Sequence, residues 1–426
     1  LILNDYKSTI AALLGQILLK MEEVTVPPYF LCPISLDIMK DPVTVPTGIT
    51  YDRRSIEKWL FTEKNATCPV TKQSIKNCEL TPNHMVRRLI QAWCTLNASY
   101  GVERIPTPKP LMSKAQILDL LNESKSQQQK VNCLQKLRRM AAEHESNKLS
   151  MKSAGVSEFL ISVIIEESEM SPLVVEDFSA SPSEEALSIL HSLHVSEPTF
   201  PRFAEGEHVA FIEALTKIMR CGSYDSNAFA VMVVKWVLEA ATPAEIASLS
   251  SNLFTELAEA LKNERAVKTA LKVLLSVCQW GGNRAKAVRA NSVQILVDLL
   301  LETTDRRMSE LIMALMEILC QCSEGRAELS GHAAGLAVVS KKILRVSELC
   351  TEKGVGVITS VAKHEARVGV LQEMLEVGVV SKLCLLMQVK CGKKIKEKAK
   401  ETLKLHARVW KESPCLPAKL IFSYPS

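Results

Sequence analysis

Two short segments, Cys32-Pro33-Ile34-Ser35 and Cys68-Pro69-Val70-Thr71, each place a cysteine three residues ahead of a hydroxyl side chain. Tetrahedral zinc takes four ligands from cysteine, histidine or carboxylate, and the loops that hold it carry those ligands in close pairs. Here each loop keeps one cysteine and has Ser35 or Thr71 where the second ligand would stand. Each candidate site has lost a ligand, so two zinc ions cannot be held in the usual way. The segment from Tyr29 to Ile75 must brace its loops by packing and hydrogen bonds instead.

The surrounding residues give the local plan. Pro27-Pro28, Pro33, Asp41-Pro42, Pro46 and Thr47-Gly48 force turns, while Val43, Val45, Ile49 and Tyr51 suit short strands, which makes a loop followed by a hairpin. Asp52 is placed to cap a helix whose Ile56, Trp59 and Leu60 share one face. After the second loop, Asn83 caps a further helix that carries Val86, Leu89, Ile90 and Trp93 inward. Two proline-bearing loops flanking one short helix make a shallow apolar groove.

The run Tyr29-Phe-Leu-Cys-Pro-Ile-Ser-Leu-Asp-Ile-Met-Lys-Asp-Pro-Val43, with Thr47-Gly-Ile-Thr-Tyr-Asp-Arg53, Trp59-Leu60 and Thr67-Cys-Pro-Val-Thr-Lys-Gln-Ser-Ile75, resembles the U-box, the zinc-free relative of the RING finger. The resemblance implies a small α+β domain over residues 27–100 that binds a ubiquitin-conjugating enzyme through Ile34, Leu36, Trp59 and Pro69. Lys72 stands where the family commonly has arginine, the residue that restrains the ubiquitin on its carrier; lysine keeps the charge and loses the planar fork. Asp41, Pro42, Gly48, Tyr51, Asp52 and Arg53 are assigned to structure, as polar ties in place of metal. Ile34 and Trp59 carry the competing assignment of plain core residues. The implied chemistry is proximity and orientation, with no covalent intermediate on the ligase, no cofactor and no metal. Cys32 and Cys68 have no histidine close in sequence, which argues against a nucleophile.

Gly101-Val-Glu-Arg-Ile-Pro-Thr-Pro-Lys-Pro110 has three prolines in alternate positions and reads as an extended connector, so residues 101–112 form a linker. From Ser113 onward the pattern is helical, in keeping with only 16 glycines and 18 prolines in 426 residues. A repeat emerges at Ala154-Gly-Val156, Asn291-Ser-Val293, Ala334-Gly-Leu336 and Val377-Gly-Val379, and more loosely at Glu207-His-Val209 and Ser250-Ser251. Taking Val156, Val209, Ser251, Val293, Leu336 and Val379 as equivalent, the steps are 53, 42, 42, 43 and 43 residues. That period belongs to armadillo and HEAT arrays, in which each repeat buries its apolar faces only by stacking on the next. Residues 113–411 are therefore expected to form six degenerate armadillo-like repeats, with Glu166 to Glu185 as a surface loop that lengthens the first step, and residues 412–426 as a tail. The groove of such an array captures extended peptides or protein surfaces. Trp236, Cys278 and Trp280 are read as core in preference to groove. The whole chain is thus similar to plant U-box/armadillo ubiquitin ligases, which implies substrate ubiquitination and self-ubiquitination in plant defence or stress signalling.

Charge narrows the partners. The net +5 conceals nine Lys/Arg against Glu397 and Glu401 between Lys390 and Lys411, which leaves the remainder of the chain at −2. Ile395, Ala399, Leu403, Ala407 and Trp410 give that stretch one apolar face, so its basic face is read as solvated, with contact to an acidic partner or anionic lipid as the sharper alternative. Nucleic-acid binding is disfavoured, because the basic residues sit on one helix without interleaved aromatics. No apolar run approaches the roughly 20 residues of a membrane span. Thirteen cysteines in no framework spacing suit a reducing compartment, hence cytoplasm or nucleus. Residues 1–26 read as an extension, with Met21 as the expected native start. Self-association is compatible with the resemblance. The alternative function is a non-enzymatic armadillo scaffold whose U-box is an inert docking module.

Overall fold

The computed structural model describes residues 25–75, 80–108, 111–124, 126–170, 181–194, 207–411, 413–414, 416–417, 420 and 424–425. The expected start at Met21 lies outside them. The chain divides into two compact units, residues 1–157 with 195–197, and residues 158–194 with 198–426.

In the first unit, β1 (Pro42–Thr44) and β2 (Thr50–Asp52) form an antiparallel hairpin with Val43 opposite Tyr51. The reversal closes through Val45 N–H to the Ile49 carbonyl at 3.0 Å, with Gly48 at φ +84°, a region that glycine enters without a Cβ penalty. A third strand, β3 (Thr81–Pro82), pairs with the other edge of β1, an element that sequence patterning did not suggest. Helix α1 (Arg53–Glu57) runs into a single wider turn over Lys58–Thr62. Its Ile56 and Leu60 are buried with Phe30, Met39, Val43, Val45 and Tyr51 in one core. Asp52 does occupy the residue before α1, but its side chain makes no cap bond. Its Oδ1 instead accepts the backbone N–H groups of Lys40 at 2.8 Å and Asp41 at 3.0 Å, because the first loop brings two otherwise unpaired amides to the same oxygen.

Helix α2 (His84–Leu96) is capped as expected, with Asn83 Oδ1 accepting the Val86 N–H at 3.0 Å. Its buried stripe is narrower than expected. Val86, Ile90 and Trp93 pack inward, whereas Leu89 is 48% exposed. A single short sheet covers only the 4-3 spaced line of residues, and Leu89 falls one step outside it. Residues 101–108 form no helix or strand, and Val102 and Ile105 pack against the core that holds Phe30, Val43 and Ile56. Three helices follow: α3 (Lys114–Asn122), α4 (Gln127–Glu143) and α5 (Glu145–Ser153). Ser113 with Gln116 and Ser126 with Gln129 close reciprocal capping boxes at the starts of α3 and α4.

Beyond these, the chain repeats a helix pair: α6 (Val156–Met170) and α7 (Pro182–His194), α8 (Glu207–Cys221) and α9 (Tyr224–Ala240), α10 (Ser251–Ala260) and α11 (Val267–Val277), α12 (Ser292–Glu302) and α13 (Arg306–Leu319), α14 (Gly335–Lys342) and α15 (Glu348–His364), α16 (Val379–Gln388) and α17 (Lys393–Leu405). All six reference residues of the sequence alignment fall in the first three positions of α6, α8, α10, α12, α14 and α16. In the second unit the other helices form a row, with α7, α9, α11, α13, α15 and α17 each packed on the next. The Ser/Pro/acidic insert differs from expectation, since Glu166 to Met170 belong to α6 and Pro182 to Glu185 to α7; residues 171–180 lie outside the described residues. Acidic residues in the first turn favour a helix start over a loop.

The turns explain the period. Gly155, Asn291 and Gly378 precede α6, α12 and α16 at φ +79°, +59° and +75°, a left-handed conformation open to glycine and asparagine. At Gly335 the constraint is different: an added Cβ would run into the Leu329 backbone carbonyl. Gly378→Ala should therefore cost about 1 kcal/mol from the backbone conformation alone. Gly335→Ala should cost more, about 1–3 kcal/mol, because two helices must separate. Thermal melts of the two variants test this order.

Candidate functional site

The two cysteine loops are one motif used twice. In the first, Cys32 N–H donates to the Asp37 carbonyl at 2.8 Å and Leu36 N–H to the Cys32 carbonyl at 2.8 Å; in the second, Cys68 N–H donates to Gln73 at 2.8 Å and Lys72 N–H to Cys68 at 3.0 Å. Each loop is closed by an isolated antiparallel bridge, Leu31 with Ile38 and Thr67 with Ser74. Each turns through a left-handed residue, Leu36 at φ +62° and Lys72 at φ +59°. Lys72 is thus the structural counterpart of Leu36.

Both thiols point inward and are fully buried. Strand β2 holds them: Asp52 N–H donates to Cys32 Sγ at 3.3 Å, and the Tyr51 hydroxyl lies 3.0 Å from Cys68 Sγ. Thr47 Oγ1 donates to Cys68 Sγ at 3.3 Å, and Val70 N–H donates to the Tyr51 hydroxyl at 3.3 Å. Arg53 completes the frame through Nε to Asp41 Oδ2 at 2.6 Å, a charge-assisted bond across a nearly buried site. Pro42 is buried in β1, and Gly48 makes the hairpin turn. All six residues assigned to structure therefore lie on the hairpin and its junction with α1. Among the described residues, no cluster of three or more His, Cys, Asp or Glu could hold a metal ion.

With their cysteines anchored, the loops turn their remaining side chains outward. Leu36 is 72% exposed and Val70 51% exposed, while Ile34 and Pro69 are half-buried and Lys72 is exposed. Trp59 is half-buried, and its Nε1 donates to the Thr67 carbonyl at 2.8 Å, which ties the helical segment to the second loop. Ile34 and Trp59 both pack against the core of this domain and both keep part of their surface open. Val70 is the residue that sequence reasoning passed over. The signal was present in the duplication, because Cys-Pro-Ile34-Ser and Cys-Pro-Val70-Thr align position by position.

In the second unit, Trp236 and Cys278 are buried, as expected of core residues, and Trp280 is partly exposed at the start of the short helix Gly281–Arg289. On the helix row, half-buried His191 of α7 stacks on half-buried Phe229 of α9, with ring centroids 4.3 Å apart. Further along, Glu317 of α13 reaches across Gly356 to Lys353 of α15 at 2.8 Å and Lys398 of α17 at 3.3 Å, cross-linking three successive repeats. On α17, Ile395, Ala399 and Leu403 are buried, as is Trp410 beyond it, while Glu397 and Glu401 interrupt the exposed line of Lys393, Lys394, Lys400 and Lys404.

Burial opposes the Cys68 thiolate, but hydrogen bonds from Thr47, Thr71 and Tyr51 outweigh it and bring the thiol down to about 6. Burial and the Cys68 hydrogen bond push the Tyr51 phenol up. A low thiol pKa alone would suggest a nucleophile, yet this sulfur is enclosed and its partners are hydroxyls, so its charge serves the loop. A group whose native pKa lies below its unfolded value adds stability that is complete above the unfolded pKa and lost as the pH falls through the native one. The stability difference between the native chain and Cys68→Ala should therefore widen from pH 6 to pH 9. Denaturant midpoints at both pH values check the sign.

Comparison with known proteins agrees with this geometry. The U-box domain family matches residues 26–99, and the plant U-box protein ARM repeat region matches residues 115–426. The chain is 48% identical over 412 residues to the Arabidopsis thaliana E3 ubiquitin-protein ligase PUB23, covering 95% of this chain and 98% of the relative. It is 47% identical to the Arabidopsis E3 ubiquitin-protein ligase PUB22, covering 95% and 100%. A solved structure from work on a phosphorylation switch controlling the interaction between cadherin and beta-catenin shares the fold at a TM-score of 0.54 and 15% identity, covering 76% of this chain and 58% of that one. The chain belongs to the plant U-box proteins with an armadillo repeat region, and it is a ubiquitin ligase of the U-box kind.

Proposed function

We propose that a ubiquitin-charged conjugating enzyme docks on Ile34, Leu36, Trp59, Pro69 and Val70, and that Lys72 restrains the bound ubiquitin while a substrate lysine attacks the thioester. The observation that carries this is the pair of matched loops, each with a buried, hydrogen-bonded cysteine and an outward apolar side chain. Rigid loops displaying Leu36 and Val70 suit a small transient contact, in which a few apolar side chains supply most of the affinity. The ligase itself contributes no bond to the reaction, only the placement of carrier and amine.

Substrate proteins are captured along the helix row from α7 to α17, on which the half-buried His191, Phe229 and Lys353–Glu317–Lys398 groups lie. The setting is plant defence or stress signalling in the cytoplasm, a reading supported by relatedness and by the cysteine usage rather than by any residue of the site. The mixed charge on α17 supports a solvated face over a lipid contact. Among the described residues, no helix is long and apolar enough to cross a membrane.

Leu36→Ala should lower ubiquitin chain formation by at least about tenfold without lowering the melting temperature, since a truncated apolar anchor costs more than 1 kcal/mol of binding and this side chain is exposed. Ile34→Ala should do the same with a modest loss of stability. Lys72→Arg should raise the rate several-fold by restoring the planar fork. Reconstituted reactions with activating enzyme, a panel of conjugating enzymes, ubiquitin and ATP measure all three. Undiminished chains from Leu36→Ala would sink the docking assignment.

A further inference from the structure

Glu57 is a buried acid, 1% exposed, whose partners are not confined to the U-box. Helix α5 begins at Glu145, and the preceding His144 gives it no side-chain cap. Glu57 supplies the cap from 88 residues away: Oε2 accepts the Glu145 N–H at 2.9 Å and Oε1 accepts the Ser146 hydroxyl at 2.5 Å. An unpaired amide and the positive end of a helix are thereby satisfied by one carboxylate. On its other side, Arg53 Nη1 lies 3.7 Å from Oε1, and Arg53 Nε holds Asp41. A continuous polar chain therefore runs from the first cysteine loop through Asp41, Arg53 and Glu57 into the first helices of the armadillo region.

The connector reinforces the join. Val102 and Ile105 pack on the U-box core, and at its far end Met112 N–H donates to Asn147 Oδ1 at 3.3 Å, while buried Asn147 donates to the Met140 carbonyl at 3.0 Å. A proline-bearing segment that could have served as a free hinge is thus fastened to both of the parts it joins.

We propose that Glu57 is a positioning residue for ubiquitin transfer: by capping α5 it locks the U-box onto α3–α5, so that a carrier docked beside Trp59 delivers ubiquitin to a restricted set of lysines. This rests on the docking assignment made above. Glu57 stands two residues before Trp59 and touches none of the groove side chains through its hydrogen bonds. Releasing the lock leaves the groove intact and widens the range of lysines within reach.

The test uses the full chain with Glu57→Gln and, from the other side, Ser146→Asp, which sets a second carboxylate against Glu57 while leaving every U-box residue in place. Three readouts are taken: amide exchange at Glu145 and Ser146, discharge of charged carrier onto free lysine, and the map of self-ubiquitinated lysines by mass spectrometry. The proposal expects exchange at least tenfold faster, discharge within twofold of the native chain, and occupancy of the most modified lysine reduced at least threefold as other lysines appear. An unchanged lysine map despite faster exchange would overturn it. So would discharge onto free lysine that falls in step with self-modification, because that makes Glu57 a support of the groove. Failure of the native chain to discharge any carrier would instead strike the docking assignment, and this proposal with it.

Discussion

Strand β2 is only three residues long, and both cysteine loops hang from it. Asp52 holds the first loop twice, through its backbone N–H to Cys32 Sγ and through its carboxylate to two loop amides. Tyr51 holds the second, through a hydroxyl shared between Cys68 Sγ and the Val70 N–H. A metal ion would fix such loops with a few strong bonds. Hydrogen bonds are worth about 1 kcal/mol each, so several must act together and none can be left unpaired. That requirement accounts for the concentration of polar residues between Thr47 and Arg53, of which Tyr51 and Arg53 are buried and Thr47, Thr50 and Asp52 half-buried.

Among the described residues, buried cysteines meet two different surroundings. In the helical repeats, burial pushes the thiols up, to about 12 for Cys278 and Cys320 and about 11 for Cys350 and Cys384, so they pack as small neutral groups. Cys68 is equally enclosed by its neighbours, yet surrounding hydroxyls draw its pKa down to about 6. The same side chain thus fills space on the helices, where burial also pushes Cys133 of the first unit up to about 11, and accepts hydrogen bonds in the second cysteine loop, according to whether donors face it.

Much of this was legible in the residues. The repeat register was, because the left-handed turn at Gly155, Asn291 and Gly378 calls for glycine or asparagine before three of the six apolar helices. The duplicated loops were also legible, since Cys-Pro, a β-branched residue and a hydroxyl recur in the same order. Features that depend on distant partners were not. An aspartate before a helix signals a cap, and only the folded chain shows two amides of the first loop closer to hand for Asp52. Leu89 looks inward until the sheet beneath α2 proves too narrow to cover it. Glu57 carries no local signal at all, because its partners lie 88 and 89 residues along the chain.

The constraint on this domain is that hydrogen bonds to β2 take the place of zinc in holding its two cysteine loops. Its most direct test is to strip the purified chain exhaustively with a strong chelator, confirm the metal content by elemental analysis, and measure discharge of a ubiquitin-charged conjugating enzyme. Discharge should be unchanged at a zinc content far below one ion per chain. Loss of discharge on chelation, restored by added zinc, would contradict it.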